Sequence, residues 1–124
     1  MKEEIILHLV HCQFQIRLFH WATTGDAEHR ALGELYGLLD ESIDDFVETM
    51  IGKDGIRPKF EDEFSISFND PSKIVVRDYL SQFKTFLFSL TQMLDPVKDT
   101  DLLNKRDEIL GDVNHTLYLL TLKY

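Results

Sequence analysis

Apolar residues recur at helical spacing over four stretches of the chain, and turn-forming residues separate these stretches. Asp26 and Asp70 are predicted N-caps, and Pro71 would occupy the first helical position after Asp70. Phe64–Phe68 alternates like a short strand, but one strand has no partner, so we expect a loop across the bundle. The pattern predicts α1 from about Glu4 to Ala22, α2 from near Asp26 to near Gly52, α3 from Asp70-Pro71 to about Leu94, and α4 from Asp99-Thr100 towards Leu122.

The lengths of the connections predict how the helices are arranged. The α1–α2 and α3–α4 connections are short, so each pair should be an antiparallel hairpin. The segment from Lys53 to Asn69 is longer, and roughly seventeen extended residues reach about 55 Å, whereas a helix of about 24 residues is about 36 Å long. An up-down-up-down bundle is the alternative, although it would not need so long a connection. We therefore predict an all-α, single domain over residues 1–124, a ferritin-like four-helix bundle with a long crossover from α2 to α3.

Helix α2 carries a second stripe beside its apolar core stripe. The core stripe comprises Leu32, Leu35, Tyr36, Leu39, Ile43, Phe46, Val47 and Met50. The second stripe comprises His29, Gly33, Gly37, Asp40, Asp44 and Glu48. Its two glycines are spaced by one turn and would leave a smooth patch where another backbone can approach closely. A solvated acidic face with two tolerated glycines would produce the same pattern.

Two copies of α2 that cross antiparallel at Gly33 and Gly37 would combine this stripe into binding sites. His29 of one chain then meets Asp44 of the other, and Gly33 faces Asp40. Asp44 and Glu48 are one turn apart, so both carboxylates point the same way. One histidine and two carboxylates can bind iron, manganese or zinc. A dimer would contain two such sites, each built from two chains.

Helix α1 is predicted to be buried on two sides. One apolar face contains Val10, Phe14, Leu18 and Trp21, and the other contains Ile5, Leu9, Cys12, Ile16 and Phe19. A polar seam of Gln13, Arg17 and His20 lies between them. For His20, packing at a helix end with a bond to a carbonyl is the alternative to metal binding. We expect His8, His11 and Gln15 to be exposed, and Glu108, Asp112 and His115 on α4 to form a solvated face.

Composition narrows the classes of function. The net charge is -9 with no basic patch, which disfavours nucleic-acid binding. No apolar run is long enough to span a membrane, and two acids beside Lys2 do not fit a secretory signal peptide. The single Cys12 excludes an internal disulfide and a cysteine-based zinc site. We therefore expect a cytoplasmic protein.

The sequence over about residues 13–53 resembles the Dps-like mini-ferritins. His20-Trp21 at the end of α1, His29 at the start of α2, and Asp44 and Glu48 further along match that family's pattern. The same stretch looks like a group of uncharacterised phage-encoded proteins. The gap between the two histidines is about one turn shorter than in Dps, and Gly33 stands where Dps has an acid. The basic arm of DNA-binding Dps proteins is absent, which disfavours the hypothesis of a DNA-compacting protein.

The resemblance implies an iron site between two-fold related subunits. We expect His20, His29, Asp44 and Glu48 as ligands, Asp40 as an addition, and Trp21 beside the site. Two irons could bind, manganese or zinc could substitute, and O₂ or peroxide could oxidise Fe(II), which would make the protein a ferroxidase or iron-binding protein. The homo-oligomer would form through α1 and α2, as a dimer or a larger shell. The alternative is a metal-free, ferritin-like dimeric interaction module of phage origin.

Overall fold

The computed structural model describes residues 2–63 and 65–122, which form four helices joined by turns and loops. The helices are α1 Lys2–Ala22, α2 Asp26–Asp54, α3 Val76–Met93 and α4 Thr100–Leu119. Neither described stretch contains a β-strand. The predicted all-α four-helix fold is therefore confirmed.

The predicted start of α3 is wrong, because Asp70 and Pro71 belong to a local turn. Asp70 Oδ1 accepts hydrogen bonds from the backbone N–H of Ser72 (2.9 Å) and from its hydroxyl (2.8 Å). Lys73 N–H donates to the Asp70 carbonyl at 2.9 Å and closes the turn. The capping chemistry of Asp70 is thus used within the turn, and the helix begins at Val76.

The other helix ends differ from the predicted ones by smaller amounts. The N-cap of α2 is Gly25, which has no side chain to cap the helix. Asp26, the predicted cap, lies in the first turn instead. The C-terminal end of α2 is fixed by Gly55, whose φ of 70° is the left-handed conformation that favours glycine. Gly55 donates its N–H to the Ile51 carbonyl. Helix α4 ends at Leu119, short of the predicted Leu122.

Each helix packs against two neighbours. Helix α2 contacts α1 and α4, and α3 also contacts α1 and α4, so α2 and α3 are diagonal in the bundle. Asp45 on α2 pairs with Lys105 on α4 at 2.6 Å, and Lys53 pairs with Asp101 at 2.9 Å, as expected for antiparallel helices. The common core is apolar and includes the fully buried Leu9, Ile16, Leu32, Leu35, Leu39, Phe46, Leu80, Leu87, Leu90, Ile109 and Val113.

The connection between α2 and α3 runs along α1 for most of its length. Near the start of α1, Glu3 accepts a hydrogen bond from Lys59 N–H at 2.9 Å. About three turns further along α1, Gln15 bonds to Asn69 in both directions, through its amide nitrogen (3.0 Å) and its amide oxygen (2.7 Å). The predicted crossover is confirmed, and two antiparallel hairpins joined in this way form the ferritin-like arrangement of a four-helix bundle.

The prediction that His8, His11 and Gln15 are exposed is wrong for two of the three. The crossover covers Gln15, which is fully buried, and it half-buries His11. His11 Nε2 donates to the Ser67 carbonyl at 2.8 Å, and its Nδ1 bonds to the Tyr79 hydroxyl at 2.7 Å. His8 is exposed but stacks on Phe86 with ring centroids 4.5 Å apart. The side of α1 that carries His8, His11 and Gln15 is therefore the surface on which the crossover packs.

The segment predicted as a loop across the bundle is confirmed where the structure describes it. Phe64 lies outside the described residues, and residues 65–68 form neither helix nor strand. The Phe68 ring stacks on His11 with ring centroids 5.0 Å apart. On α4, Glu108 and His115 are exposed and Asp112 is half-buried, in agreement with a largely solvated face. No helix among the described residues is long and apolar enough to cross a membrane.

Gln15→Ala tests how strongly the crossover is held. The substitution leaves the N–H and carbonyl of Asn69 without their partner, so we expect the free energy of unfolding to fall by about 1–3 kcal/mol. Chemical denaturation measures the change. Gln92→Ala, at an exposed position of α3, is the control and should change stability by less than about 0.5 kcal/mol. Equal effects of the two substitutions would contradict the role assigned to Gln15.

Candidate functional site

The polar seam of α1 meets the second stripe of α2 along one side of the hairpin. Gln13 Nε2 donates to Asp40 Oδ1 at 2.8 Å. One turn further along α1, Arg17 Nη1 donates to the Tyr36 hydroxyl at 2.8 Å. These two pairs define the α1–α2 seam, which ends at the turn between the helices with the two predicted histidines.

His20 and His29 clamp the turn between α1 and α2. His20 Nδ1 bonds to the His29 carbonyl at 2.7 Å, and His29 Nδ1 bonds to the His20 carbonyl at 2.8 Å. The rings stack with centroids 3.8 Å apart and an interplanar angle of 14°. The His20 carbonyl is in the last turn of α1, where carbonyls lack helical partners, so the His29 ring satisfies one of them. We call this arrangement the histidine clamp.

The histidine clamp fixes which nitrogen of each ring can bind a ligand. A carbonyl oxygen only accepts hydrogen bonds, so Nδ1 must carry the proton in both rings. In a neutral ring, Nε2 then has a free lone pair, and no described residue forms a hydrogen bond with either Nε2. A backbone carbonyl that holds Nδ1–H is a common orienting partner of histidines that bind metals. The clamp therefore presents two imidazoles in a form suited to metal binding.

The two glycines of the second stripe have different surroundings. A Cβ atom added at Gly37 would meet nothing within 4 Å, so this position is the open patch that the sequence predicts. A Cβ atom at Gly33 would lie 2.8 Å from Cε1 of His20 in the same chain. The prediction that both glycines form one open patch is therefore wrong for Gly33, because the His20 ring covers it.

Asp44 and Glu48 form an exposed acidic pair on α2. Asp44 raises the pKa of Glu48 above its ordinary value, first through a hydrogen bond between the two side chains and then through its negative charge. Glu48 therefore keeps its proton to higher pH than an isolated Glu would, because the protonated group shares a hydrogen bond with Asp44 and because its ionisation would place two negative charges side by side. A bound cation would relieve the same repulsion.

A single chain does not bring the two histidines and the two acids together. His29 and Asp44 are fifteen residues apart on one straight helix, which separates them by about 22 Å. Asp40 is closer, but one of its oxygens already accepts the bond from Gln13. Over residues 2–63 and 65–122, no three His, Cys, Asp or Glu side chains are grouped so that they could hold a metal ion. The five predicted ligands can form one site only if a second chain contributes.

Arg17 and Tyr36 form a contact that the sequence analysis did not predict. The Arg17 guanidinium lies 5.0 Å from the ring centroid of Trp21 and 4.6 Å from that of Tyr36. Tyr36 was assigned to the core stripe, but it is half-buried at the edge of α2. Residues equally distant from the turn of an antiparallel hairpin oppose each other, and this relation could have identified the pair.

The second apolar face of α1 is open to solvent in the single chain. Phe14 is 45% exposed and Trp21 is 64% exposed, whereas the opposite face is buried in the bundle core. Val10 and Leu18 are half-buried beside them. The predicted contact of α1 with its own bundle is confirmed, because the opposite apolar face is buried. The predicted contact of the face with Phe14 and Trp21 with another subunit stays a prediction.

The tautomers of His20 and His29 can be measured in the metal-free protein. At a pH where the rings are neutral, we expect both to carry the proton on Nδ1 and none on Nε2. Long-range ¹H–¹⁵N correlation spectra distinguish the two nitrogens. His115, which is exposed on α4, is the control and should show a mixture of tautomers. A proton on Nε2 of either neutral clamp ring would contradict the arrangement.

Comparison with known proteins gives one match. The model of a family of unknown function (DUF5856) matches residues 20–120, a range that begins at His20 and contains the other four candidate ligands. No curated protein and no solved structure matches the chain. Because the family model covers most of the chain, the protein belongs to this family of unknown function, DUF5856.

Proposed function

We propose that this protein is a ferritin-like metal-binding protein whose iron site lies between two subunits of a symmetric dimer. The observation that supports this most directly is the histidine clamp, because its two backbone bonds leave Nε2 of both His20 and His29 free. Neutral imidazoles with a free nitrogen are ligands for iron, zinc and other divalent first-row metals.

The carboxylates would come from the partner subunit. In an antiparallel crossing of two α2 helices, His29 faces Asp44 of the partner subunit, and the crossing point lies near Gly37. Gly37 supports this register, because it is exposed and nothing lies within 4 Å of the place of its side chain. The His20 ring covers Gly33, so the closest approach of the two backbones is at Gly37.

The distribution of charge supports the same pairing. Arg17 and the histidine clamp lie on one side of Gly37, and Asp44 and Glu48 lie on the other side, further along α2. A two-fold axis near Gly37 places Arg17 and the histidine clamp of each subunit against the acidic pair of the other. The pKa of Glu48 is raised by the hydrogen bond with Asp44 and by the negative charge of Asp44, and a cation between the two carboxylates would offset that repulsion.

The donor set fits iron. His20 and His29 would bind through Nε2, and Asp44 and Glu48 of the partner subunit would supply hard carboxylate oxygens. Asp40 of the partner subunit retains one oxygen that Gln13 does not occupy. Iron is therefore the first metal to test. Manganese or zinc suits the same mixture of nitrogen and oxygen ligands and could take its place.

Fe(II) would be a substrate if two ions bind together. Two Fe(II) ions then give one electron each to hydrogen peroxide, which takes up two protons and leaves as two waters. With dioxygen, four Fe(II) ions supply four electrons, and four protons complete two waters. In the reducing cytoplasm that we propose as the location, iron would be present as Fe(II). The chain's contribution is to hold the ions side by side and to supply carboxylates that offset their charge.

A metal-free dimeric interaction module is the second candidate function. The observation that favours it is that the histidine clamp is complete without metal, since both Nδ1 atoms are bonded and the rings stack. In this case the clamp would only close the turn, and the exposed face with Phe14 and Trp21 would bind the second subunit. The two candidates share the dimer and differ in metal binding.

Mixing two variants tests whether the site is shared between subunits. His29→Ala and Asp44→Ala should each abolish Fe(II) binding and oxidation above the buffer blank, because every site of the homodimer lacks one ligand. When they are unfolded together and refolded as mixed dimers, one intact site returns in each mixed dimer. We expect about a quarter of the wild-type sites, measured by anaerobic Fe(II) titration followed by admission of oxygen.

The control for mixing is each variant refolded alone, which should regain nothing. No recovery in the mixture would exclude a site shared between His29 and Asp44. If the wild-type protein binds no iron, manganese or zinc at micromolar concentration, the metal site is excluded and the interaction module is favoured.

Gly37→Leu tests the position of the two-fold axis. A Cβ atom at this position meets nothing within 4 Å in its own chain, but the leucine side chain would lie between the two α2 helices, so we expect the dimer to dissociate at least about tenfold more readily. Analytical ultracentrifugation measures the change. Gly111→Leu, at an equally open position of α4, is the control and should leave assembly unchanged. A wild-type protein that is monomeric at all concentrations would exclude the dimer.

A further inference from the structure

We propose that Gly33 is the positioning residue of the histidine clamp. Gly33 lies inside α2, one turn after His29, where a glycine weakens a helix. Its backbone does not require glycine, because Gly55 is the only glycine with positive φ among the described residues. The reason for glycine at position 33 is therefore space and not conformation.

The space at Gly33 is occupied by the edge of the His20 ring. A Cβ atom at position 33 would lie 2.8 Å from Cε1, 3.2 Å from Nδ1 and 3.5 Å from Nε2 of His20. Side-chain carbon atoms do not approach a ring atom to 2.8 Å, so the ring would have to move. Movement of the ring away from α2 lengthens the 2.7 Å bond from His20 Nδ1 to the His29 carbonyl and disturbs the stacking of the two rings.

The other glycines within helices do not have this role. Gly37, Gly52 and Gly111 have nothing within 4 Å of the place of a side chain. Only at position 33 does another side chain fill the place of the missing Cβ. The contact therefore links a backbone position of α2 to the orientation of both clamp rings.

A side chain at position 33 and the histidine clamp compete for the same space. An acid at this position, which the resemblance to Dps-like proteins would lead one to expect, needs the Cβ atom that the His20 ring displaces. The chain thus has a fixed pair of imidazoles in place of one carboxylate. If the proposed function is correct, all carboxylates of each site come from the partner subunit, but the role of Gly33 in the clamp does not depend on metal.

A double-mutant cycle on the metal-free protein tests the proposal. Gly111→Ala sets the increase in melting temperature that an exposed helical glycine gives when it is replaced. We expect Gly33→Ala to give a smaller increase or a decrease in the wild-type background. In a His20→Ala background, Gly33→Ala should raise the melting temperature as much as Gly111→Ala does, because the clash is gone.

The NMR signals of the clamp give a readout that a general effect on stability would not change. Gly33→Ala should remove the Nδ1–H signals of both His20 and His29, whereas Gly111→Ala should preserve them. Retention of both signals in Gly33→Ala, or equal changes in melting temperature with and without His20, would overturn the proposal. Both measurements use metal-free protein, so a failure of the iron site leaves their outcome unaffected.

Discussion

Two imidazole rings hold the turn between α1 and α2 by donating to each other's backbone carbonyl. Each bond fixes one ring, and the 3.8 Å stacking makes the position of one ring depend on the other. The bonds use Nδ1 of both rings, so a single geometric fact sets the tautomers, the direction of the α1–α2 turn and the nitrogen atoms available to a ligand. Gly33 belongs to the same constraint, because the edge of the His20 ring occupies the place that a Cβ atom at position 33 would take. The candidate site is thus prepared by backbone contacts that exist before any metal binds.

The crossover explains why only one side of α1 has polar side chains that another molecule can reach. Its polar residues on the other side, Gln15 and His11, are consumed by backbone groups of the crossover. No segment among residues 2–63 and 65–122 covers the α1–α2 seam in this way, and beside the seam Phe14 and Trp21 are exposed and the acids of α2 face solvent. The long connection therefore protects one face of the hairpin and leaves the face with the histidines open for another molecule.

Helical periodicity predicted the elements well because burial follows it. The core of α2 and the buried face of α1 lie where the spacing of apolar residues places them, and the length of the α2–α3 connection predicted the crossover. Periodicity could not show that the crossover buries Gln15, since a polar residue that bonds to a backbone segment looks like an exposed one. The predicted start of α3 was wrong for a related reason: Asp70 caps a turn with the same kind of bond that would cap a helix. For the site, the sequence placed His20 beside His29, but the reciprocal bonds and the contact with Gly33 depend on ring orientations that spacing does not specify.

The separation of the histidines and the acids links metal binding to assembly in the proposed function. A rigid helix keeps His29 about 22 Å from Asp44 of its own chain, so neither half can complete a site alone. A metal held by both halves would bind the dimer and not the separated chains, and it must stabilise the dimer by the same free energy with which dimerisation strengthens metal binding. The hydrogen bond with Asp44 and then the repulsion between the two carboxylates raise the pKa of Glu48, and a bound metal would relieve that repulsion in the same step. The histidine clamp strengthens metal binding because its rings are already ordered in the metal-free protein. Rings fixed by backbone carbonyls lose little further conformational freedom when a ligand binds.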